Sequence, residues 1–509
     1  MAVLAGPWPR VGVVAAALCA AATILARTDR QRAWAMLGAL VLAPVLLLDD
    51  VWHSAQLGFV HRHPLDAVVA AGLGLAVLAA AAYGVRRRPW VAAPLAVLTL
   101  PFRIPISSGG NTNSLLLPLY FVIAASALAW LVPVLWRAHV QPSRPQPEPR
   151  RSPLLFEKLL AAFIVLYAVQ ALYSPAAGSP SGFVSALQNE VFFYVPFAVL
   201  LARLRDIEWN RELILRCLAV TVCLAIAFSL IGFLEEATRH LYFRSNLVQS
   251  NQLHEYFTIN SVFYDPDIFG RYLALTMLLA TTVLLYEKRT RVQLGAILTL
   301  AILWTCLVFT LSRSSLVALA VGLATLAALR WRVRRSIYAS VLTVAVVVAA
   351  AVIATHPSKF GFTNVNTSGR ASLISGGVGI FEKKPLYGYG SGSFPTEYTK
   401  YDRQAARIVK DSHNIPITVG SEQGVIGLIV YAALVISALL ALFRGARGDP
   451  YRVGIAAAFL ALLLHTMLYA DFLEDPVTWA LLAVGGSLAV AARSAATPEH
   501  FRHHLRAVA

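Results

Sequence analysis

The sequence has little charge and few cysteines for its length. Only 14% of the 509 residues are charged, whereas 58% are hydrophobic and the mean hydropathy is +0.65. Soluble globular domains carry about 25% charged residues, so these values exclude that class of protein. The four cysteines lie within or at the ends of apolar segments and form no Cys-x-x-Cys motif, which argues against a disulfide framework or a cysteine metal site.

Long apolar segments predict an all-α, polytopic integral membrane protein. A transmembrane helix needs about 20 apolar residues to cross a hydrocarbon core of about 30 Å. About fifteen candidate spans occur, at 11–26, 33–48, 66–85, 90–102, 115–136, 154–173, 186–202, 213–234, 268–286, 292–311, 314–330, 336–354, 416–443, 452–470 and 476–492. The segment 90–102 is short for a span, and a re-entrant segment is the alternative.

The net charge of +17 comes from cations that cluster in alternate loops. These clusters include Arg27, Arg30 and Arg32; Arg86, Arg87 and Arg88; Arg203, Arg205 and Arg211; Lys288, Arg289 and Arg291; and Arg444, Arg447 and Arg452. The positive-inside rule makes these loops cytoplasmic, which places the N-terminus outside and the C-terminus inside. This distribution predicts a multi-pass membrane protein in contact with lipids and not with nucleic acid. The content of 36 Arg against seven Lys, with abundant Ala, suggests a bacterial genome, so the inner membrane is the expected location.

Composition divides the chain into four parts. We expect an N-terminal accessory transmembrane region at 1–140, a cytoplasmic Pro/Arg-rich linker at 141–153, a transmembrane domain at 154–492 and a cytoplasmic tail at 493–509. Two outward loops, 235–267 and 355–415, are long enough to hold a functional site. The second carries many Lys and Arg residues on the outer face, which indicates either a solvated surface or an anionic ligand.

A His-Asn pair stands directly before the apolar segment 416–443. His413 and Asn414 are followed by nine residues, Gly424, two residues and Gly427. Upstream lie Ser368-Gly369-Arg370, Leu311-Ser312-Arg313 and the run from Asp265-Pro266-Asp267 to Arg271. Together these elements resemble the O-antigen ligase and polymerase family, bacterial membrane enzymes that transfer glycans from polyprenyl diphosphate carriers.

The resemblance covers about 260–440, with looser similarity from 154 onwards. It implies a donor glycan linked to polyprenyl (undecaprenyl) diphosphate, a glycan or glycolipid acceptor with a free hydroxyl, and an extracytoplasmic active site. It implies neither a cofactor nor a metal ion, and the histidines outside the motif show no paired ligand spacing. The chain departs from the family at its first five spans, which have no counterpart, and at Asp267, where the family has Asn.

Glycan transfer from a diphosphate needs positive charge and a base. A diphosphate leaves as a stabilised anion, and arginine guanidinium groups fit its oxygens bidentately. The acceptor hydroxyl must lose its proton, and imidazole is suited to accept it near neutral pH. We therefore expect His413 to be the general base, with Arg370, Arg313 and Arg271 as diphosphate-binding residues.

Supporting residues surround the His-Asn pair. Asn414 is a plausible helix cap before Pro416, which belongs in a first helical turn. Gly420, Gly424 and Gly427 are expected on one helix face, where they would permit close packing. Glu422 either orients a partner Arg or forms a pair without chemistry. The Gly-rich run 387–392 lacks the context of a nucleotide fingerprint and predicts a turn-rich loop.

Other interpretations stay open at this stage. His413 is alternatively an interfacial polar residue, Arg313 and Arg271 are alternatively cations that extend to the lipid headgroups, and Arg370 is alternatively a salt-bridge partner in its loop. A flippase that moves the same lipid-linked glycans is the alternative function. Paired broken helices in two matching halves are the hallmark of a transporter, and the sequence does not show them. A non-catalytic envelope scaffold would leave the Arg and His residues unexplained.

Overall fold

The computed structural model of the protein describes residues 7–52, 58–108, 111–140, 152–176, 181–243, 257–331, 370–401 and 412–508. Within these ranges the fold is helical, as predicted, with one addition. Strands β1 (Ile104–Ser108) and β2 (Asn111–Leu115) form an antiparallel hairpin. The sequence did not reveal this hairpin because its strands are short and mostly polar, without the apolar alternation that indicates a strand.

The N-terminal region contains six described helices before the linker. They are α1 (Pro7–Leu25), α2 (Asp29–Val51), α3 (Gly58–Arg62), α4 (Pro64–Arg87), α5 (Ala92–Thr99) and α6 (Leu117–Val140). A single 3₁₀ turn, Pro89–Val91, precedes α5, and the hairpin separates α5 from α6. Pro64 lies in the first turn of α4, where its missing N–H has no intrahelical partner to lose.

The remaining described helices follow the linker. They are α7 (Leu155–Ala171), α8 (Gly182–Asn189), α9 (Val195–Arg205), α10 (Arg211–Thr238), α11 (Pro266–Tyr286), α12 (Thr290–Phe309), α13 (Arg313–Arg330), α14 (Arg370–Lys383), α15 (Phe394–Tyr401), α16 (Ile415–Phe443), α17 (Pro450–Leu468) and α18 (Pro476–Val508). A π-helical turn, Glu190–Tyr194, joins α8 to α9 without a break. Asn210, Asp265, Ser312, Asn414 and Asp449 each cap a helix by accepting a backbone N–H.

Twelve helices in the described part of the chain are long and apolar enough to cross a membrane. The three other predicted spans account for the difference from fifteen. Segment 90–102 forms only a short helix, 154–173 forms the 17-residue helix α7, and 336–354 lies outside the described residues. The outward loops 235–267 and 355–415 are each described only in part, and most of the linker 141–153 lies outside the described residues.

The bundle has two chemically different ends. One end, called the Arg-rich end here, holds the turn after α16, where Arg452 donates to the carbonyl oxygens of Gly445 and Arg444 at 2.7 Å. The opposite end, called the site end, holds the start of α16, where the Asn414 side chain donates to the Met467 carbonyl oxygen at 2.8 Å. Because α16 and α17 are antiparallel neighbours, the predicted cation clusters and the His-Asn pair lie at opposite ends.

The short helix α5 belongs to a segment that connects the two ends. The Arg216 guanidinium lies 4.3 Å from the Trp90 ring centroid, close to the cations at the start of α10. Thirteen residues later, the Arg103 guanidinium lies 5.2 Å from the ring centroid of Tyr264, which directly precedes α11. Segment 90–103 therefore passes through the bundle instead of returning to the end from which it came.

The N-terminal helices share a hydrophobic core with the rest of the protein. Helix α1 packs against α7 and α9 as well as against α2. The largest buried cluster joins apolar residues of α1, α2 and α6 to those of α7, α9, α16 and α18, whereas a second cluster lies among α10, α11, α12, α13 and α17. A partly buried ion pair of 2.8 Å between Arg32 and Asp206 contributes to the first junction.

Helix α16 is broken at Gly424, which has φ 66° and ψ −163°. The segment after α14 fills the break. The Pro385 carbonyl oxygen accepts from the Val425 N–H at 2.7 Å, and the Glu422 carbonyl oxygen accepts from the Gly390 N–H at 2.8 Å. The expectation that Gly424 lies on a smooth helix-packing face is therefore wrong: it is the point at which the helix opens to bind another backbone.

Alanine at Gly388 or Gly424 is expected to destabilise the protein by at least about 2 kcal/mol. Both glycines have positive φ values, and an added Cβ would overlap the backbone of Glu422 or of Leu386. Unfolding of the purified protein in detergent measures the effect. Gly72→Ala in α4 is the matched control, since nothing lies within 4 Å of an added Cβ there, and it should change stability by less than about 1 kcal/mol. The binding of segment 385–390 into the break of α16 is called the clasp here. Equal stability of all three variants would contradict it.

Candidate active site

His413 lies on a tight turn at the start of α16. Its φ of 53° places it in the left-handed region, which is uncommon for a residue with a side chain. The next residue, Asn414, caps α16 by accepting from the Ile417 N–H at 3.2 Å, and its amide also donates to Met467 at the end of α17. The predicted cap is thus present. It fixes His413 between the beginning of one helix and the end of another.

The half-buried imidazole of His413 faces an aromatic residue from the next loop. Its ring centroid lies 5.4 Å from that of Tyr469, which directly follows α17. The ring of Tyr469 also lies 5.8 Å from the ring of His465, one turn earlier on α17. Tyr469 therefore stands between an accessible histidine and a second histidine that is fully buried.

His465 lies in a cluster of polar side chains at the starts of α11 and α13. Its Nε2 atom lies 3.2 Å from the Ser314 Oγ and 3.1 Å from the Ser315 Oγ. The Ser314 Oγ and the Ser312 Oγ both donate to the Asp267 carboxylate, at 2.9 and 2.5 Å. These hydrogen bonds hold the first turns of α11, α13 and the last turn of α17 together.

Arg313 is the first residue of α13 and lies beside this cluster. Its neighbours Ser312 and Ser314 are buried, whereas the Arg313 side chain is exposed at the site end. Contacts run from His413 through Tyr469 and His465 to Ser314, so the structure brings the start of α13 and the His413 turn into one region. Diphosphate binding by Arg313 stays a prediction, and the exposure of its side chain is compatible with it.

Arg271 has a different environment from Arg313. It is 2% exposed, and its Nη2 atom lies 2.7 Å from the Asp475 carboxylate. Its Nη1 atom lies 3.4 Å from the carbonyl oxygens of Ala470 and Asp471. Arg271 therefore holds the segment between α17 and α18 in place. Diphosphate binding by Arg271 stays a prediction, and here the guanidinium already has an anionic partner.

Arg370 begins α14, and its side chain lies outside the described residues. The helix itself is close to the His413 turn. An added Cβ at Gly377 of α14 would overlap the side chain of Ile417, which lies in the first turn of α16. Arg370 is seven residues before Gly377 in the same helix. It therefore lies about two helical turns beyond Gly377, towards the site end.

The Glu422 carboxylate binds backbone N–H groups of the segment that follows α14. It is 5% exposed and accepts from the backbone N–H groups of Gly392, at 2.8 Å, and Phe394, at 3.0 Å. It thereby anchors the Gly-rich loop 387–392 and the start of α15 to α16. The prediction of a turn-rich loop is confirmed by the positive φ values of Gly388, Gly390 and Gly392.

Several residues of the site were not identified from the sequence. Tyr264 donates to the Asp471 carboxylate at 2.8 Å, and Asp265 lies next to Tyr469. Burial raises the pKa of the Asp265 carboxyl to about 6, the Asp267 carboxylate adds to this rise, and a hydrogen bond from Tyr469 offsets part of it. A His-x-x-x-Tyr sequence at the end of a predicted span, followed by acids, was the available signal for His465 and Tyr469.

A model of a known protein family matches part of the chain. Residues 298–432 match the family model described as O-antigen ligase. The matched segment contains Arg313, Arg370, the His413 turn and the break at Gly424, whereas Arg271 lies before it. The resemblance inferred from the sequence is therefore confirmed over this segment, and with the twelve apolar helices it supports a membrane glycosyltransferase-like role in polysaccharide biosynthesis. No curated protein matches the chain.

Replacement of Arg271 by Gln is expected to lower the free energy of unfolding by about 3–5 kcal/mol, because Asp475 would remain buried without its cation. Asp475→Asn should have a similar effect for the converse reason. The double variant should recover much of the loss, and unfolding in detergent measures this cycle. A primary role in substrate binding predicts the opposite: Arg271→Gln would lose activity at nearly unchanged stability.

Asp265 is expected to make stability depend on pH. Its pKa in the folded protein, about 6, lies above its ordinary value of 3.8. Between these values the folded state binds more protons than the unfolded state, so the free energy of unfolding should fall from about pH 4 to about pH 6. Asp265→Asn keeps a capping side chain and should remove this loss. Parallel pH curves for the variant and the wild type would contradict the expectation.

Proposed function

We propose that the protein transfers a glycan from a polyprenyl diphosphate carrier to an acceptor hydroxyl at the outer face of a bacterial inner membrane. The carrier is undecaprenyl diphosphate or a close relative, and the product is part of a cell-surface polysaccharide. The match to the O-antigen ligase family supports the reaction type. The observation that carries the proposal is the His413 turn, where a half-buried imidazole is fixed between α16 and α17 within the matched segment.

In the proposed reaction, His413 accepts the proton of the acceptor hydroxyl. The acceptor oxygen attacks the anomeric carbon, the bond from that carbon to the phosphate oxygen breaks, and the electron pair leaves with the diphosphate. Because the diphosphate is a stabilised anion, it needs cations instead of a proton donor. Attack from the side opposite the leaving group inverts the anomeric centre.

Arg313 and Arg370 are assigned to the diphosphate. Arg313 stands exposed at the start of α13, and Arg370 begins α14, which packs beside the His413 turn. Arg271 is assigned to the loop instead, since its guanidinium is buried against Asp475. Asn414, Glu422, Gly424 and Gly427 act through backbone geometry, because they shape the break in α16 or its first turn.

The proposed orientation follows from the charges. The cation clusters of the loops lie at the Arg-rich end, and the positive-inside rule assigns that end to the cytoplasm. The site end then faces outward, where the carrier lipid presents its glycan after crossing the membrane. A flippase remains the alternative function, and the phenotype of a deletion strain separates the two.

Deletion of the gene is expected to change the glycans at the outer leaflet. Loss of a ligase would leave long polymer on the carrier lipid, whereas loss of a polymerase would leave single repeats on the final acceptor. Analysis of the lipid-linked and envelope glycans distinguishes these outcomes. Accumulation of glycan units only at the inner leaflet would refute glycan transfer and support the flippase.

His413→Ala is expected to reduce transfer by about 100-fold or more while the protein still inserts and folds, since loss of a general base costs about 10²–10⁴ in rate. His240→Ala is the matched control, because His240 is exposed at the end of α10 on the same side of the bundle. Complementation of the deletion strain measures both variants at equal membrane levels. Full transfer by His413→Ala would remove the base from the mechanism.

A further inference from the structure

We propose that Arg103, which belongs to the N-terminal region, is a positioning residue of the candidate active site. The first spans have no counterpart in the family that the chain resembles, yet Arg103, which lies between α5 and α6, contacts Tyr264, and Tyr264 binds the acidic loop beside His413. The inference rests on the proposed function, because it assigns Arg103 a part in the same transfer reaction. It makes the N-terminal region a component of the site in addition to its role in packing.

Arg103 contacts the residues that precede α11. Its guanidinium lies 5.2 Å from the centroid of the Tyr264 ring, a geometry typical of a cation–π interaction. The adjacent Phe102 ring lies 5.8 Å from Phe228, which in turn packs 5.5 Å from Phe263. Aromatic contacts thus fix the chain on both sides of this junction, so the Arg103 guanidinium has a defined position.

Tyr264 links Arg103 to the loop between α17 and α18. Its hydroxyl donates to the Asp471 carboxylate at 2.8 Å. Asp471 has a φ of 69°, so its backbone is strained and needs partners to hold it there. Two residues earlier in the same loop stands Tyr469, whose ring contacts His413. A short chain of contacts therefore connects Arg103 to the proposed base.

The charges at the site end give Arg103 a second role. Burial lowers the pKa of the Arg103 guanidinium, but the nearby Tyr264, Asp471 and Asp475 raise it more, so the net shift is upward. The same acids face Arg271, which lies 2.7 Å from Asp475. Two cations thus share the acids of one loop, and removal of either leaves a net negative charge near the diphosphate site.

The groups around His413 define how that charge acts. The titratable and charged residues around it include Tyr264, Asp265, Asp267, Arg271, Arg313, His465, Tyr469, Asp471, Glu474 and Asp475. Loss of the Arg103 charge beside this set makes the local potential more negative, so the pH profile of transfer should move upward. In general, two unit charges about 10 Å apart at an effective dielectric constant of about 20 interact by an energy that corresponds to about one pH unit.

The experiment compares Arg103→Gln and Arg103→Lys in the full-length protein, with Arg88→Gln as the control. Arg88 is exposed at the other end of the same region, after α4. Membranes from the deletion strain, which contain unconsumed donor and acceptor, receive each variant, and transfer is measured from pH 5 to pH 9. Hydrogen exchange of purified protein in detergent reports separately on segments 257–265 and 469–475.

Arg103→Gln should lower the maximal rate of transfer by about 10-fold and move its pH profile upward by about one unit. Arg103→Lys keeps the charge but loses the planar contact, so it should lower the rate without moving the profile. Both variants should exchange faster in segments 257–265 and 469–475. Arg88→Gln should behave as the wild type in every measurement.

Two results overturn the inference or its premise, and they are distinguishable. An active wild type with an unshifted Arg103→Gln profile and unchanged exchange would refute the positioning role. A folded wild type that transfers no glycan would refute the proposed function, and the exchange data would then decide alone whether Arg103 holds the loop. A variant that fails to fold is replaced by Arg103→Lys, for which the same exchange and rate effects are required.

Discussion

The break in α16 at Gly424 is the constraint on which the site depends. Inside a membrane bundle, an opened helix leaves N–H and C=O groups that water cannot satisfy, so another part of the chain must bind them. The segment after α14 does so through Pro385 and Gly390, and the Glu422 carboxylate binds the backbone that follows. This clasp joins α14, α15 and α16 in one unit. It also keeps the first turns of α16, with Asn414 as their cap, at a fixed angle to α17.

Acids are unusually frequent at the end of the bundle that would receive an anionic substrate. The described carboxylates there are Asp265, Asp267, Asp471, Glu474 and Asp475. Each described contact pairs them with a hydroxyl, a backbone N–H or a cation: Asp267 with serines, Glu474 with the Tyr194 hydroxyl and Asp475 with Arg271. The acids therefore organise the protein side of the site. Cations that lie outside these pairs, such as the exposed Arg313, are the ones that could bind a diphosphate.

Local patterns in the sequence predicted the local features of the structure. Hydropathy located the twelve spans that the structure describes, because burial in lipid imposes a run of apolar residues on each helix. The cap at Asn414 followed from a single polar residue before Pro416. The role of Gly424 did not follow, because glycines spaced by three or four residues fit a packing face and a break equally well. Only the partner segment 385–390, distant in sequence, decides between them.

Contacts between distant segments could not be predicted for the same reason. His465 is one histidine in an apolar run, and nothing near it in sequence indicates that Ser314 and Asp267 surround it. Arg103 follows a segment too short for an ordinary span, so the hydropathy pattern did not show which end of the bundle it reaches. The environment of both residues depends on which helices are neighbours in the folded protein.

The starts of three helices lie around His465 and Tyr469. Their positive N-termini offset the negative charge of the nearby acids, which would otherwise repel an anionic ligand. Helices α11, α13 and α16 begin at the site end, and each N-terminus carries about half a positive charge. Asp267 lies in the first turn of α11, where the helix dipole favours an anion, and it accepts hydrogen bonds from two serine hydroxyls. The N-terminus of α13 carries Arg313 as its first residue, and that of α16 follows His413. Positive potential therefore remains at the two helix starts that flank the proposed reaction centre, while the acids behind them fix its geometry.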